Sequence, residues 1–138
     1  MVELIAHGQE AEPLYRKALS VHDSLYMGPS GHPQVAQDLN NLAAVLKNLG
    51  HRNFPEAEGL LKRAIHIRKE HLGPGHVDVA TTIHNLAQLQ HSMGDNREAL
   101  TMAEEAFAIR IKALGEEHKA TMVTRVLVAR LKSVIDST

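Results

Sequence analysis

Ten histidines in a chain of 138 residues raise the question of a metal centre. A zinc ion takes three or four ligands at about 2 Å, so the ligands must converge on one point. His84 and His91 lie seven residues apart, which places them on one helix face but about 10 Å apart along the helix axis. The sequence contains no His-Glu-x-x-His run. We therefore expect no metal site and no cofactor.

Groups that could act in catalysis are equally scattered. Cysteine is absent, which excludes a disulfide framework, a thiolate metal site and a cysteine nucleophile. Glu56, Glu58, Glu104 and Glu105 occur beside lysine and arginine in helical patterns, which is typical of a solvated helix surface. No strand is predicted, so no glycine-rich phosphate loop follows one. The sequence indicates a protein that is not an enzyme.

Three histidines recur at one point of the sequence pattern, just before a predicted helix. They are His32, His76 and His118. A neutral imidazole at this point accepts from the unpaired N–H groups of the first helical turn, as other capping side chains do. We expect these histidines to be helix caps. A positive charge at a helix N-terminus opposes the helix dipole, so acidification is expected to weaken the caps.

Length and charge narrow the class of protein further. The chain matches one ordinary domain, and its 43% apolar and 22% charged residues are typical of a globular protein. The net charge of −1 gives no reason to expect nucleic acid or a membrane surface as a partner. No apolar run reaches the roughly 18 residues of a membrane-spanning helix, and the N-terminus lacks a signal pattern. We expect a soluble, cytoplasmic protein.

Apolar residues recur at spacings of three and four, which predicts helices, and the 3% aromatic content favours an all-α fold. Pro13 is expected in the first turn of its helix, and Gly8 at the end of an earlier helical stub. Asp95 and Glu98 are expected to form a capping box. The predicted helices cover residues 2–7, 10–27, 33–49, 53–72, 77–93 and 116–135, with one more between Asp95 and Gly115.

The helices repeat in pairs. Residues 40–50, which begin Asn-Asn-Leu-Ala, return in similar form at residues 84–94, which begin His-Asn-Leu-Ala. A separation of 42 residues joins Ala64 to Ala106, Gly73 to Gly115 and His76 to His118. Such a period indicates one helical unit stacked on copies of itself. We expect one domain over residues 1–138, with a partial repeat at 1–31, repeats at 32–74 and 75–115, and a terminal helix at 116–138.

The repeated phrases resemble the 42-residue tetratricopeptide repeats of kinesin light chains. They are Ala-Glu-Pro-Leu-Tyr-Arg-Lys-Ala-Leu at residues 11–19, Asn-Asn-Leu-Ala at 40–43 and Leu-Gly-Pro-Gly-His-Val-Asp-Val-Ala at 72–80. The resemblance covers about residues 8–118. It implies a right-handed α-solenoid of helix-turn-helix repeats that serves as a scaffold or adaptor. It also implies that one face of the helices at 33–49, 77–93 and 116–135 lines a concave, peptide-binding groove.

Polar side chains on that face suit an extended peptide, because amides both donate to and accept from a peptide backbone. The alternative is that Asn41 and Asn85 bond to the adjacent helix. The family's two-carboxylate clamp is not expected, because Lys47 is the only basic residue among its corresponding positions. We expect the groove to prefer a protein or peptide ligand with acidic residues. The predicted groove residues are Asn40, Asn41, Lys47, Asn48, His84, Asn85, Gln88, His91 and Arg130.

The last helix departs from the repeat. Its apolar residues spread around much of the circumference, and a helix of this kind needs burial on more than one side. The alternative function is therefore self-association into a homo-oligomer through this helix, without a peptide ligand. The residues predicted for that contact are Val123, Val126, Leu127 and Val134.

Overall fold

The computed structural model describes residues 2–26 and 31–137 of the chain. These residues form six α-helices and a short 3₁₀ turn at His51–Asn53. The chain divides into two compact units, unit 1 at Met1–His71 and unit 2 at Leu72–Thr138. The helices are α1 (Val2–Leu25), α2 (Pro33–Leu49), α3 (Phe54–Leu72), α4 (Val77–Ser92), α5 (Asn96–Leu114) and α6 (Lys119–Asp136).

Helix α1 differs from the sequence expectation, because one continuous helix replaces the predicted stub and second helix. It runs through Gly8 and carries Pro13 in its interior. A glycine inside a helix costs only about 1 kcal/mol relative to alanine, which is too little to end a helix that neighbours stabilise. Pro13 has no N–H to donate to the preceding turn, so α1 lacks one backbone bond there. Both predictions at this end of the chain were wrong.

The three recurring histidines are helix caps, as predicted. The Nδ1 atom of His32 accepts from the backbone N–H of Gln34 at 3.0 Å, at the start of α2. His76 caps α4 and His118 caps α6 in the same way, each at 3.0 Å from the N–H two residues later. In all three cases the bond requires a lone pair on Nδ1, so the ring must be unprotonated at this atom.

The other helix ends agree with the sequence predictions only in part. Helix α2 has its predicted bounds, and Gly50, which follows it, has a φ of 124° that favours glycine. The capping box at Asp95 is absent, because the Asp95 side chain makes no capping bond to α5. Helix α6 begins at Lys119, after a turn at residues 116–118, and not at residue 116.

The core of unit 1 packs α2 against α3. Its buried residues are Val35, Ala36, Leu39, Ala64 and Ile67, and Leu19 and Leu60 pack against them. The backbone of Gly31, just before α2, lies very close to this core. A Cβ atom at Gly31 would come within 2.8 Å of the Ile67 side chain, and its φ of 70° also favours glycine. Glycine therefore allows the chain to enter α2 against α3.

The core of unit 2 joins all three of its helices. It contains Ala87 from α4, Ala99 and Ala103 from α5, and Leu127, Val128 and Leu131 from α6. The small alanine side chains let the helix backbones approach closely. Leu127 is only 6% exposed. The prediction that Leu127 belongs to a self-association surface is therefore wrong, because the α4–α5 pair covers this side of α6.

Candidate functional site

In unit 1, the predicted binding residues form one polar face of α2. Asn40, Asn41 and Lys47 are half-buried, while Ala44 and Asn48 are exposed. Oδ1 of the Asn41 side chain accepts from Nε2 of Gln37, a residue of the same helix, at 3.0 Å. This bond holds the amide in one orientation. It uses the oxygen of Asn41, and the two N–H donors of the amide are the groups that suit a ligand carbonyl.

Lys47 supplies positive charge at the end of this face. Partial burial lowers the pKa of its ammonium group, because the charged form loses water. A partly dehydrated ammonium gains more from an approaching carboxylate than a fully hydrated one does. The α2 face therefore combines amide donors with one cation that lacks part of its hydration shell.

In unit 2, the predicted residues of α4 separate by burial. Gln88 is exposed, and Asn85 and His91 are half-buried. Nδ1 of His91 donates to Oδ1 of Asn96 at 2.7 Å, which ties the end of α4 to the start of α5. His84 is only 6% exposed, so it is not the open groove residue that the sequence predicted. The reason is helix α6, whose Thr124 lies against the imidazole.

A buried polar network explains the position of His84. Arg110 of α5 is 8% exposed, and its Nη1 donates to Oγ1 of Thr124 at 2.6 Å and to the Ala120 carbonyl at 3.2 Å. The Thr124 hydroxyl lies 3.3 Å from Nδ1 of His84. Nη2 of Arg110 donates to Oγ1 of Thr81 at 3.3 Å. One guanidinium thus links α4, α5 and α6, and burial lowers its pKa because the charged form loses water.

Sequence reasoning missed Arg110 because a lone arginine in a helical pattern is usually solvated. One signal was present. Arg68 precedes Arg110 by the repeat period of 42 residues, and Arg68 is also buried, at 7% exposure. Its Nη2 donates to Oε1 of Gln37 at 2.8 Å within unit 1. An arginine that recurs at the repeat period indicates a structural role at that point of the repeat.

A small pocket of about 240 Å³ opens between α4 and α6 in unit 2. It brings together three predicted groove residues and three residues predicted for self-association. They are His84, Gln88, Val123, Val126, Leu127 and Arg130. The wall is mostly apolar, and Gln88 and Arg130 provide its exposed polar groups. The pocket therefore suits an aliphatic side chain with a hydrogen-bonding or acidic group beside it.

The outer face of α6 is apolar and accessible at its first half. Met122 and Val123 are 50% exposed and Val126 is 56% exposed. Val134, the fourth predicted self-association residue, is half-buried and lines a separate open cleft with residues 94–98 at the α4–α5 turn. Val123 and Val126 thus remain accessible for a contact, while Leu127 does not.

The described residues contain no group of three histidine, aspartate or glutamate side chains placed to hold a metal ion. Residues 2–26 and 31–137 also contain no helix with the length and apolar character needed to cross a membrane.

Comparison with known proteins relates part of the chain to a family of helical repeats. Residues 51–112 match the family model described as "Tetratricopeptide repeat". The matched part of the chain is thus similar to tetratricopeptide repeats. The all-α repeat fold and the likeness to kinesin light chains expected from the sequence are confirmed.

Solved tetratricopeptide structures are similar over nearly the whole chain. BtubC (BKLC) from P. vanneervenii is 27% identical, with a TM-score of 0.84 over 95% of this chain and 51% of that chain. A kinesin light chain repeat protein of Podosopora anserina is 24% identical, with a TM-score of 0.80 over 91% of this chain and 58% of that chain. The second likeness supports the fold alone.

Curated relatives are much longer than this chain. Clustered mitochondria protein homolog of Culex quinquefasciatus is 31% identical over 90 residues, 65% of this chain and 6% of that protein. The homolog of Coccidioides immitis is 28% identical over 106 residues, 77% of this chain and 8% of that protein. The chain thus spans less than a tenth of the length of these relatives.

Tetratricopeptide repeats mediate protein–protein interaction, and their kinesin-light-chain-like folds are non-enzymatic scaffolds.

Proposed function

We propose that this chain is a non-catalytic adaptor that binds an extended peptide segment of another protein. The binding residues are the amides of α2 and α4 that face away from the cores. The observation that supports this best is the oriented amide of Asn41, which Gln37 holds at 3.0 Å. An amide fixed before binding loses less conformational entropy when a ligand arrives than a mobile one does.

The proposed ligand carries acidic residues. Lys47 in unit 1 and Arg130 in unit 2 are the cations on the proposed faces, and neither face includes an exposed carboxylate among its predicted residues. A carboxylate that approaches Lys47 meets a partly dehydrated ammonium, whose pKa burial has lowered. Most of the binding energy is expected from a few such contacts, as in other protein interfaces. The absence of cysteine is consistent with a site of action in the reducing cytoplasm.

A peptide array probed with the purified chain tests this function. We expect binding to a subset of acidic peptides and at least a tenfold loss of affinity in the double variant Asn41→Ala, Asn85→Ala. Asn53→Ala is the matched control, because Asn53 is also a half-buried asparagine but lies in the 3₁₀ turn. Melting curves show whether the double variant remains folded. Equal binding by the double variant and the parent contradicts the proposal.

The alternative, self-association without a peptide ligand, is supported by the exposed Val123 and Val126. A molecular mass in solution that rises with protein concentration, together with no binding on the peptide array, would favour this alternative.

A further inference from the structure

Exposed large apolar side chains concentrate on the first and last helices of the described chain. Leu14, the most exposed of them at 70%, lies on α1 with Val21 and Leu25. The spacing of seven and four residues places these three side chains along one stripe of α1. The second group is Met122, Val123 and Val126 on α6. Contiguous exposed apolar side chains of this kind mark interaction surfaces.

The repeat shows what the stripe on α1 is suited to contact. Ala18 of α1 corresponds to Ala64 of α3, so Leu14 corresponds to Leu60 and Val21 to Ile67. In α3, Leu60 and Ile67 pack against helix α2 in the core of unit 1. The stripe on α1 therefore has the residue pattern that receives another helix.

The α4–α6 pocket has the complementary shape and charge. It is a concave apolar site with Arg130 at its wall, and Val123 and Val126 belong to both the pocket and the exposed face of α6. On α1, Glu10 is an exposed acid one helical turn before Leu14 and on the same face. The apolar side chain of Leu14 fits the pocket, and the carboxylate of Glu10 one helical turn away is placed to pair with Arg130.

We propose that α1 of a second copy of this chain docks on α6, with Leu14 in the α4–α6 pocket and Glu10 paired with Arg130. The contact is heterologous, because it joins two different surfaces. Pairing α6 with α6 of the second copy is less suitable, because its exposed apolar face lies between two cations, Lys119 and Arg130. Lys17 lies at the edge of the α1 stripe, where its ammonium group stays in water.

The inference does not rest on the proposed peptide function, whose test concerns Asn41 and Asn85, although both proposals use Arg130. It extends the self-association alternative by assigning the second surface and the orientation of the contact. A heterologous contact leaves one surface of each kind unused at the ends of any open assembly. Two variants, each blocked at a different surface, therefore complement each other.

The test uses Leu14→Glu, which blocks the stripe on α1, and Val126→Glu, which blocks the pocket on α6. We expect the parent chain to show a mass that increases with concentration in analytical ultracentrifugation. Each variant alone is expected to be monomeric, and an equimolar mixture is expected to form a one-to-one dimer that grows no further. Leu72→Glu is the control, because Leu72 is exposed at the end of α3, outside both surfaces.

Circular dichroism establishes that each variant is folded. A charge-reversal pair then tests the ionic contact: Glu10→Arg and Arg130→Glu each weaken association about tenfold, and combining them in one chain restores it. A parent chain that stays monomeric at several hundred micromolar overturns the proposal. So does dimerisation of Leu14→Glu alone, which would indicate an α6–α6 contact, or a mixture of the two blocked variants that stays monomeric.

Discussion

Units 1 and 2 place different chemistry at the same point of the repeat. In unit 1, His22 of α1 is hydrogen-bonded to the buried carboxylate of Asp38 in α2. In unit 2, Arg110 of α5 donates to the hydroxyl of Thr124 in α6. The repeat geometry thus brings a polar side chain of one helix to a polar side chain of the next. It does not decide whether the acceptor is charged.

A second pair of equivalent positions differs more sharply. Leu46 of α2 and Gln90 of α4 are both completely buried. Among the described residues, neither Nε2 nor Oε1 of Gln90 has a hydrogen-bond partner. Unit 1 fills this position with an apolar side chain that needs no partner, and unit 2 fills it with an amide whose desolvation is not offset. The position is therefore a point of lower stability in unit 2.

Arg110→Ala is expected to have the largest effect. It removes the donor that links α4, α5 and α6, leaves a cavity, and leaves the Thr124 hydroxyl and Ala120 carbonyl short of a bond. We expect the free energy of unfolding to fall by about 3 kcal/mol. Urea denaturation measures this. Arg125→Ala, on the exposed side of α6, is the control and should cost less than about 1 kcal/mol. Similar losses in both variants would show that the buried network is unimportant.

Gln90→Leu is expected to stabilise the chain, because it gives unit 2 the side chain that unit 1 has at Leu46. Removing two unpaired buried polar atoms should raise the free energy of unfolding by about 1 to 3 kcal/mol. The midpoint of thermal unfolding measures the change. Gln88→Leu, at an exposed position of the same helix, should give no comparable gain. A destabilised Gln90→Leu variant would mean that the amide has a bound partner in solution.

His118→Ala tests whether the histidine caps contribute equally in the two units. Loss of the bond to the N–H of Ala120 should cost about 0.5 to 2 kcal/mol, and His118→Asn should restore most of it, because asparagine also caps helices. The same substitutions at His32 give the value for unit 1. Thermal melts measure both losses, and an unchanged midpoint in the alanine variants would show that the caps contribute nothing.

Glu56→Gln is expected to have the smallest effect. Arg16 of α1 donates to both carboxylate oxygens of Glu56 in α3, at 2.8 and 2.9 Å, and these bonds lower the pKa of Glu56. Both side chains are over 40% exposed, so the loss should stay below about 1 kcal/mol.

The pH dependence of this ion pair has a definite sign. A lowered pKa in the folded state means that the pair stabilises the chain above the ordinary pKa of glutamate and loses this effect as the pH falls below it. Glu56→Gln should therefore reduce acid sensitivity slightly. Glu98→Gln is the matched control in unit 2, because Glu98 follows Glu56 by the repeat period. A larger effect at Glu98 would contradict the assignment of the pair to unit 1.

Much of the fold could be predicted because its signals are local. The 42-residue period, the bounds of α2 and the histidine caps depend on residues that are close in sequence. The wrong predictions at Gly8, Pro13 and Asp95 share one cause. Each relied on a local helix or capping preference of about 1 to 3 kcal/mol, whereas packing or an alternative turn determines the conformation at these positions. The binding residues were predicted from the helix face on which they lie. This prediction was right to place Gln88 and Arg130 at an exposed surface, where they line the pocket, but His84 is buried.

The amino-acid sequence by itself determined the helices, their pairing and their caps, because periodicity and capping are read from neighbouring residues. The tertiary structure alone decided that Arg110 is buried, that Leu127 belongs to the core and that the Gln90 amide has no partner among the described residues. Burial and hydrogen bonding of these side chains depend on residues of other helices, brought close only by packing. The same reason applies to the pocket between α4 and α6, whose walls lie about 40 residues apart in the sequence.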